Sequence, residues 1–132
     1  MASTLKINTL TGVTTAGSIA VTGEGNSTTT NLQQGLVKGF VTIDVSAGEA
    51  FSSDDSFNMA SISDSGTGHM AITFTNNMAT IRYAVPGGCY TQTGHSVGVT
   101  GEATTGTNVR IADNGGSASD TDTYVTIIGK MA

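Results

Sequence analysis

FNMASISDSGTGHMAITFTNNMATIRYAV, residues 57–85, decides the fold. In it, Met70, Ile72 and Phe74 occupy alternate positions, and Ile81, Tyr83 and Val85 do the same further on. Alternate residues of an extended chain project to one face, so each run describes a strand with one apolar side. A third run covers 57–63, where the apolar parity slips by one between Met59 and Ile62; a β-bulge near Ala60-Ser61 would realign the faces. Asp64-Ser65-Gly66-Thr67-Gly68 separates two of the runs, and its glycines can take the positive φ of a tight hairpin. The stretch reads strand, turn, strand, turn, strand.

The same texture extends outward. Residues 37–45, VKGFVTIDV, place Val37, Val41, Ile43 and Val45 on one parity, and further candidates lie at 96–100, 108–112 and 123–128. Asn114-Gly115-Gly116 ends one strand, and Pro86-Gly87-Gly88 sits at another strand end, where a missing N–H costs little. No segment shows a helical stripe. Short, regularly spaced strands with turn signals predict an all-β fold, an antiparallel β-sandwich of about seven strands over residues 36–132. Its expected core is Val41, Ile43, Phe57, Ile72, Phe74, Ile81, Tyr83, Val85, Ile111, Val125 and Ile127.

Residues 1–35 differ. They are rich in Thr, Gly and Asn, with brief apolar islands at 5–10 and 19–21. Such islands cannot bury a core, so this part is expected to be an extended N-terminal arm ending near Gln33-Gln34-Gly35. Leu5, Ile7, Leu10, Ile19 and Val21 are its candidate interaction residues. An isolated apolar strand seeks a sheet edge, in a neighbouring copy or another protein, and strand addition makes little demand on sequence.

Composition narrows the function. Gly, Ser and Thr (18, 13 and 23 residues) fill 54 of 132 positions, whereas charged residues make up 11%, against about 25% in a typical soluble domain. A net charge of −5 disfavours nucleic acid and anionic membrane by repulsion. No apolar run approaches the ~18 residues of a membrane span, and MASTLKINTL lacks the layout of a signal peptide. A single cysteine, Cys89, rules out an internal disulfide and a Cys-rich metal site.

The chemistry-bearing residues are sparse. His69 and His95 have no His or Cys two to four residues away, as a metal site would want. A Cys89–His95 nucleophilic pair would have to meet in space; the ordinary alternative is a small buried thiol. Asp54-Asp55, Asp64, Asp113, Asp120 and Asp122 lack the spacing of a calcium loop and suit turn carboxylates that cap backbone amides. Gly23-Glu24-Gly25 has no Gly-Lys-Ser/Thr after it, and Asn26-Ser27-Thr28 is a glycosylation sequon only in form. The residues therefore predict no enzyme, no cofactor and no metal.

A resemblance adds to this. NLQQGLVKGFVTID (31–44), DSFNMASISDSGTGHMAITFTNNM (55–78), IRYAV (81–85), NVRIAD (108–113) and TYVTIIG (123–129) follow one another as in a module recurrent in tailed-bacteriophage virion proteins. TLKINTL (4–10) resembles the N-terminal arm of such proteins, and the likeness spans most of the chain, loosely over 86–107. It implies a structural protein of the virion surface, made in the host cytoplasm: a capsid decoration or head-fibre protein held by its arm to the major capsid protein or another virion protein. It also implies a homo-oligomer, with a trimer favoured. A full fibre would need an anchor, a shaft and a tip, which favours decoration; a short tail-fibre or receptor-binding tip is the alternative. A lectin-like module binding a host surface glycan is the third reading; it would want stacking aromatics, yet there is no Trp and only Tyr83, Tyr90 and Tyr124. An enzyme is the weakest.

Overall fold

A computed structural model gives the fold; it describes residues 6–11, 19–22, 29–44, 52–90 and 93–132, the side chains of 29–31, 33–34 and 52–54 excepted. The chain divides into two units, Met1–Gly35 and Leu36–Ala132.

In the first unit, β1 (Ala20–Thr22) pairs antiparallel with β2 (Thr29–Asn31), followed by one helical turn, α1 (Leu32–Gly35). The Leu32 amide closes the hairpin by donating to the Ile19 carbonyl at 2.8 Å. Residues 6–10, in the expected extended arm, belong to no strand.

The second unit is all-β, with two antiparallel sheets of four strands each. One runs in the order β4 (Ser52–Phe57), β3 (Val37–Asp44), β10 (Thr123–Ile128), β7 (Gly87–Cys89). The other runs β5 (Met59–Gly66), β6 (His69–Phe74), β9 (Gly106–Ala112), β8 (Ser96–Ala103). Alternate side chains from both sheets meet in one core: Val41, Ile43, Val125 and Ile127 from the first, Met70, Ile72, Phe74, Val109 and Ile111 from the second. Two sheets sharing one apolar interior is the arrangement of a β-sandwich. Met78 and Tyr83 complete the core from the link between β6 and β7.

Eight of the eleven expected core residues are buried, and Val85 packs against them, partly buried. Phe57 and Ile81 are corrections, at 52% and 48% exposure. Phe57 does not belong to one strand over 57–63. It ends β4, and β5 begins two residues later in the other sheet. Between them Asn58 has φ 61°, a left-handed conformation that turns the chain from sheet to sheet. Phe57 registers opposite Phe40, on the side of β3 that faces away from the core. Ile81 falls in a segment, 80–85, that forms no strand; only Ala84 bridges to Ile128. The expected strand there is instead an irregular approach to β7. The expected bulge is found, since the β5–β6 register skips Ala60. Gly66 (φ 116°) and Gly68 (φ 65°) have the positive φ expected of the hairpin.

Each sheet edge carries a feature that hinders pairing with a further strand. On β4 this is Asp55; β7 has three residues and follows Pro86. Bulges interrupt β5 at Ala60 and β8 at Thr100.

Candidate interaction surfaces

The arm residues come first. Ile7, Leu10 and Val21 are exposed at 49%, 54% and 51%, and Ile19 is half-buried; Leu5 lies outside the described residues. Val21 sits in β1, already paired on one side with Thr30, so this island is half of a small hairpin rather than a lone strand. A two-stranded hairpin of this size is marginal alone in water.

In the second unit the carboxylates hold turns. Asp64 Oδ1 accepts from the Gly66 amide at 2.7 Å, and Asp113 Oδ1 accepts from the Gly115 and Ser117 amides at 2.9 and 2.8 Å. Asp120 Oδ1 accepts from the Gly68 amide at 2.6 Å, fastening the β5–β6 hairpin to the segment after β9. Arg110 ties the same region by donating to the Gly116 carbonyl at 2.6 Å. The Asp64 and Asp113 bonds are local caps of the kind Asp makes in turns, whereas the Asp120 bond is long-range. Asp54 and Asp55 stand on edge strand β4, and Asp122 precedes β10.

The histidines and the cysteine occupy different settings. His69 Nδ1 lies 2.9 Å from the Thr67 carbonyl within the hairpin turn. His95 Nε2 lies 3.2 Å from Ser119 Oγ, while its Nδ1 is buried without a hydrogen-bond partner. Cys89 Sγ sits 3.4 Å from the Thr123 hydroxyl at the β7–β10 pairing. Among the described residues, no group of three His, Cys, Asp or Glu is placed to hold a metal. Nor is any described helix long and apolar enough to cross a membrane.

One groove of about 240 Å³ opens beside the β8–β9 hairpin, bordered by Thr73, Gly101, Glu102, Thr105 and Asn108. It is held from below. The Tyr83 hydroxyl donates to the Ala103 and Gly106 carbonyls at 2.9 and 2.6 Å, and Thr107 Oγ1 donates to the Gly101 carbonyl at 3.1 Å. Burial of the Tyr83 ring raises its phenol pKa above the ordinary 10.0, which keeps the donor protonated. The groove's lining includes no aromatic ring on which a sugar would stack.

Two residues that the sequence reading passed over organise this unit. Asn58 Nδ2 donates to the Lys38 and Asn76 carbonyls at 2.9 and 3.1 Å, and its Oδ1 accepts from the Asn76 amide at 2.7 Å. The visible signal was an Asn interrupting an apolar run, since Asn tolerates the left-handed region far better than β-branched residues do. Asn58→Ala should destabilise the unit by about 2–3 kcal/mol through lost hydrogen bonds and strain. Asn58→Gly should be milder, and chemical denaturation of both variants checks the order.

Lys38 is the other, only 4% exposed within β3. It falls where the β3–β10 register shifts, between the Val37–Ile128 and Gly39–Ile127 pairs. Burial lowers its ammonium pKa from 10.5. The unfolded chain therefore binds more protons than the folded one between the lowered value and 10.5, and stability gains with rising pH across that window. Below it the full penalty remains. Lys38→Met should accordingly raise the melting temperature more at pH 7 than at pH 10; equal gains at both would contradict a buried-charge penalty.

No family model, curated protein or solved structure matches this chain. What the fold itself defines is an all-β protein of two four-stranded antiparallel sheets, preceded by a separate N-terminal unit.

Proposed function

We propose that this chain is a non-enzymatic structural protein of a phage virion: a capsid decoration protein, of cement or head-fibre type, attached through residues 1–35. The observation that carries the reading is the division of labour within the chain. The N-terminal unit exposes Ile7, Leu10 and Val21, whereas all the buried core residues among the described ones belong to the second unit. The segments that resemble virion proteins supply that core: VKGFVTID is β3, HMAITF is β6, and TYVTII is β10. Capsid decoration requires an anchor and a durable exterior, and no reacting group.

The guarded edges of the two sheets bear on the anchor. Strand addition to a neighbour's sandwich would meet an acidic side chain, a proline or a bulge at every edge, which favours the capsid shell as the arm's partner. In this reading the protein is a homo-oligomer, with a trimer favoured by the resemblance alone. Purified empty capsids, purified tails and whole host cells, each incubated with labelled protein, test it. Saturable binding to capsids alone is expected. Binding to tails alone would favour a short tail-fibre protein, and binding to cells that free glycan abolishes would favour a lectin.

A further inference from the structure

We propose that Asn114 is a site of spontaneous self-modification, by attack of the Gly115 amide nitrogen on the Asn114 carboxamide, and that Asp113 is the positioning residue that restrains it.

Sequence and turn supply the reactants. Among the asparagines of the chain, only Asn114 is followed by glycine. Glycine has no side chain to shield its nitrogen and moves freely between backbone conformations, so the five-membered ring that this attack closes forms most readily there. Both residues are exposed, so water reaches them. In the first step the Gly115 nitrogen gives up its proton and bonds to Asn114 Cγ. The carboxamide nitrogen takes up a proton and leaves as ammonia. Water then opens the resulting succinimide at either carbonyl, giving aspartate or isoaspartate. In isoaspartate the main chain runs through the side-chain carbon and is one atom longer. The sequence of steps is redox-neutral and consumes only water.

The folded turn holds this reaction back. The Gly116 amide donates to the Asp113 carbonyl at 3.0 Å, and Gly116 has φ 81°, whereas neither Asn114 nor Gly115 has positive φ. That combination is a type I turn, with Asp at its first position and Gly at its fourth as such turns favour. The nucleophile is engaged, because the Gly115 N–H donates to Asp113 Oδ1 at 2.9 Å. A charge-assisted bond must break before the proton leaves, and the nitrogen anion then forms beside a carboxylate of like charge. The electrophile is packed aside. A side chain at Gly94 would collide with the Asn114 carboxamide, which therefore lies against the Gly94 backbone.

Modification undoes the same turn. Asp113 Oδ1 also accepts from the Ser117 amide at 2.8 Å, the Asp113 amide donates to the Ser117 carbonyl at 2.9 Å, and Arg110 donates to the Gly116 carbonyl at 2.6 Å. One more main-chain atom after Asn114 breaks that register. The turn leads into Ser119, whose amide donates to the Ile111 carbonyl, and into Asp120, which holds the Gly68 amide. The isoaspartate form is therefore the less stable one.

Peptide mapping by mass spectrometry tests this on the full chain aged at neutral pH, native and as Asp113→Ala, Asp113→Asn and Asp120→Ala, with circular dichroism to confirm folding. In the native chain, conversion at Asn114 is expected to outpace that at every other asparagine. Asp113→Ala should accelerate it at least about tenfold, the weight of one hydrogen bond to a charged group. Asp113→Asn keeps an uncharged acceptor and should fall between, and this comparison decides if Asp113→Ala does not fold. Asp120→Ala loosens the same segment without touching the Gly115 amide and should age at the native rate. The isoaspartate fraction should melt about 4–8 °C below the unmodified protein, as a unit of this size does on losing one hydrogen bond's worth of stability. Native rates in the folded Asp113 variants, equal acceleration by Asp120→Ala, or faster conversion at another asparagine would overturn the proposal. None of these outcomes depends on the virion reading.

Discussion

Replacing Phe74 with alanine is expected to lower the stability of the two-sheet unit by about 3–5 kcal/mol, the range for truncating a buried aromatic. Phe74 is 4% exposed, its ring stands edge-on to Tyr83 at 5.8 Å, and its amide donates to the Thr105 carbonyl at 2.8 Å. It therefore sits where β6, the β8–β9 hairpin and the 80–85 segment converge. Truncation leaves a void on three sides that neighbours held by backbone pairing cannot readily fill. Urea denaturation monitored by circular dichroism reads the loss directly. A change below about 1 kcal/mol would mean that Phe74 is not a core residue.

The second large effect belongs to Gly68. At φ +65°, a Cβ there would stand 2.6 Å from both the Ile111 carbonyl oxygen and the Ser119 amide. Those atoms are backbone and cannot swing aside. The same glycine accepts from the Ile111 amide at 2.7 Å and donates to Asp120 at 2.6 Å, so a side chain would separate the hairpin from β9. Gly68→Val should cost more than about 4 kcal/mol, which is exceptional for a point mutation. Gly66 has φ +116° but open space around it. Gly66→Val should cost only the backbone strain, about 1–2 kcal/mol. Thermal melts of the two variants separate steric exclusion from strain: equal losses would show that Gly68 is not wedged against β9.

These two glycines illustrate what could be read from residues alone. The hairpin at 64–68 was legible because turn chemistry is local: Asp and Gly at fixed offsets dictate the backbone. β3, β6, β9 and β10 were legible because one face of each is buried, so apolar residues repeat at period two. β4 was not, because SSDDSF is an edge strand of poor β-formers whose pairing comes entirely from β3. Thr80–Val85 misled in the opposite sense. Ile81, Tyr83 and Val85 alternate perfectly, yet only Tyr83 is fully buried, and the segment makes a single bridge.

Phe57 failed for a topological reason: Asn58 moves the chain between sheets, and alternation carries no information across such a corner. Met78 and Val109, both buried, were missed for lack of context. Met78 stands outside any strand, and Val109 was read as part of a strand without its facing sheet being known. On the functional side, the exposure of Ile7, Leu10 and Val21 agrees with apolar islands too small to make a core. The Phe40–Phe57 pair was hidden in the sequence, because the two rings come together only through register.

Deletion of residues 2–30 tests the central claim most directly, by measuring the occupancy of purified capsids with the truncated protein against the full chain. The second unit has its own core and both four-stranded sheets, so the truncated chain should still show a β-sheet circular dichroism spectrum and a cooperative melt. Its occupancy on capsids should fall to background. Truncated protein that folds and still decorates capsids at the density of the full chain would contradict attachment through the arm.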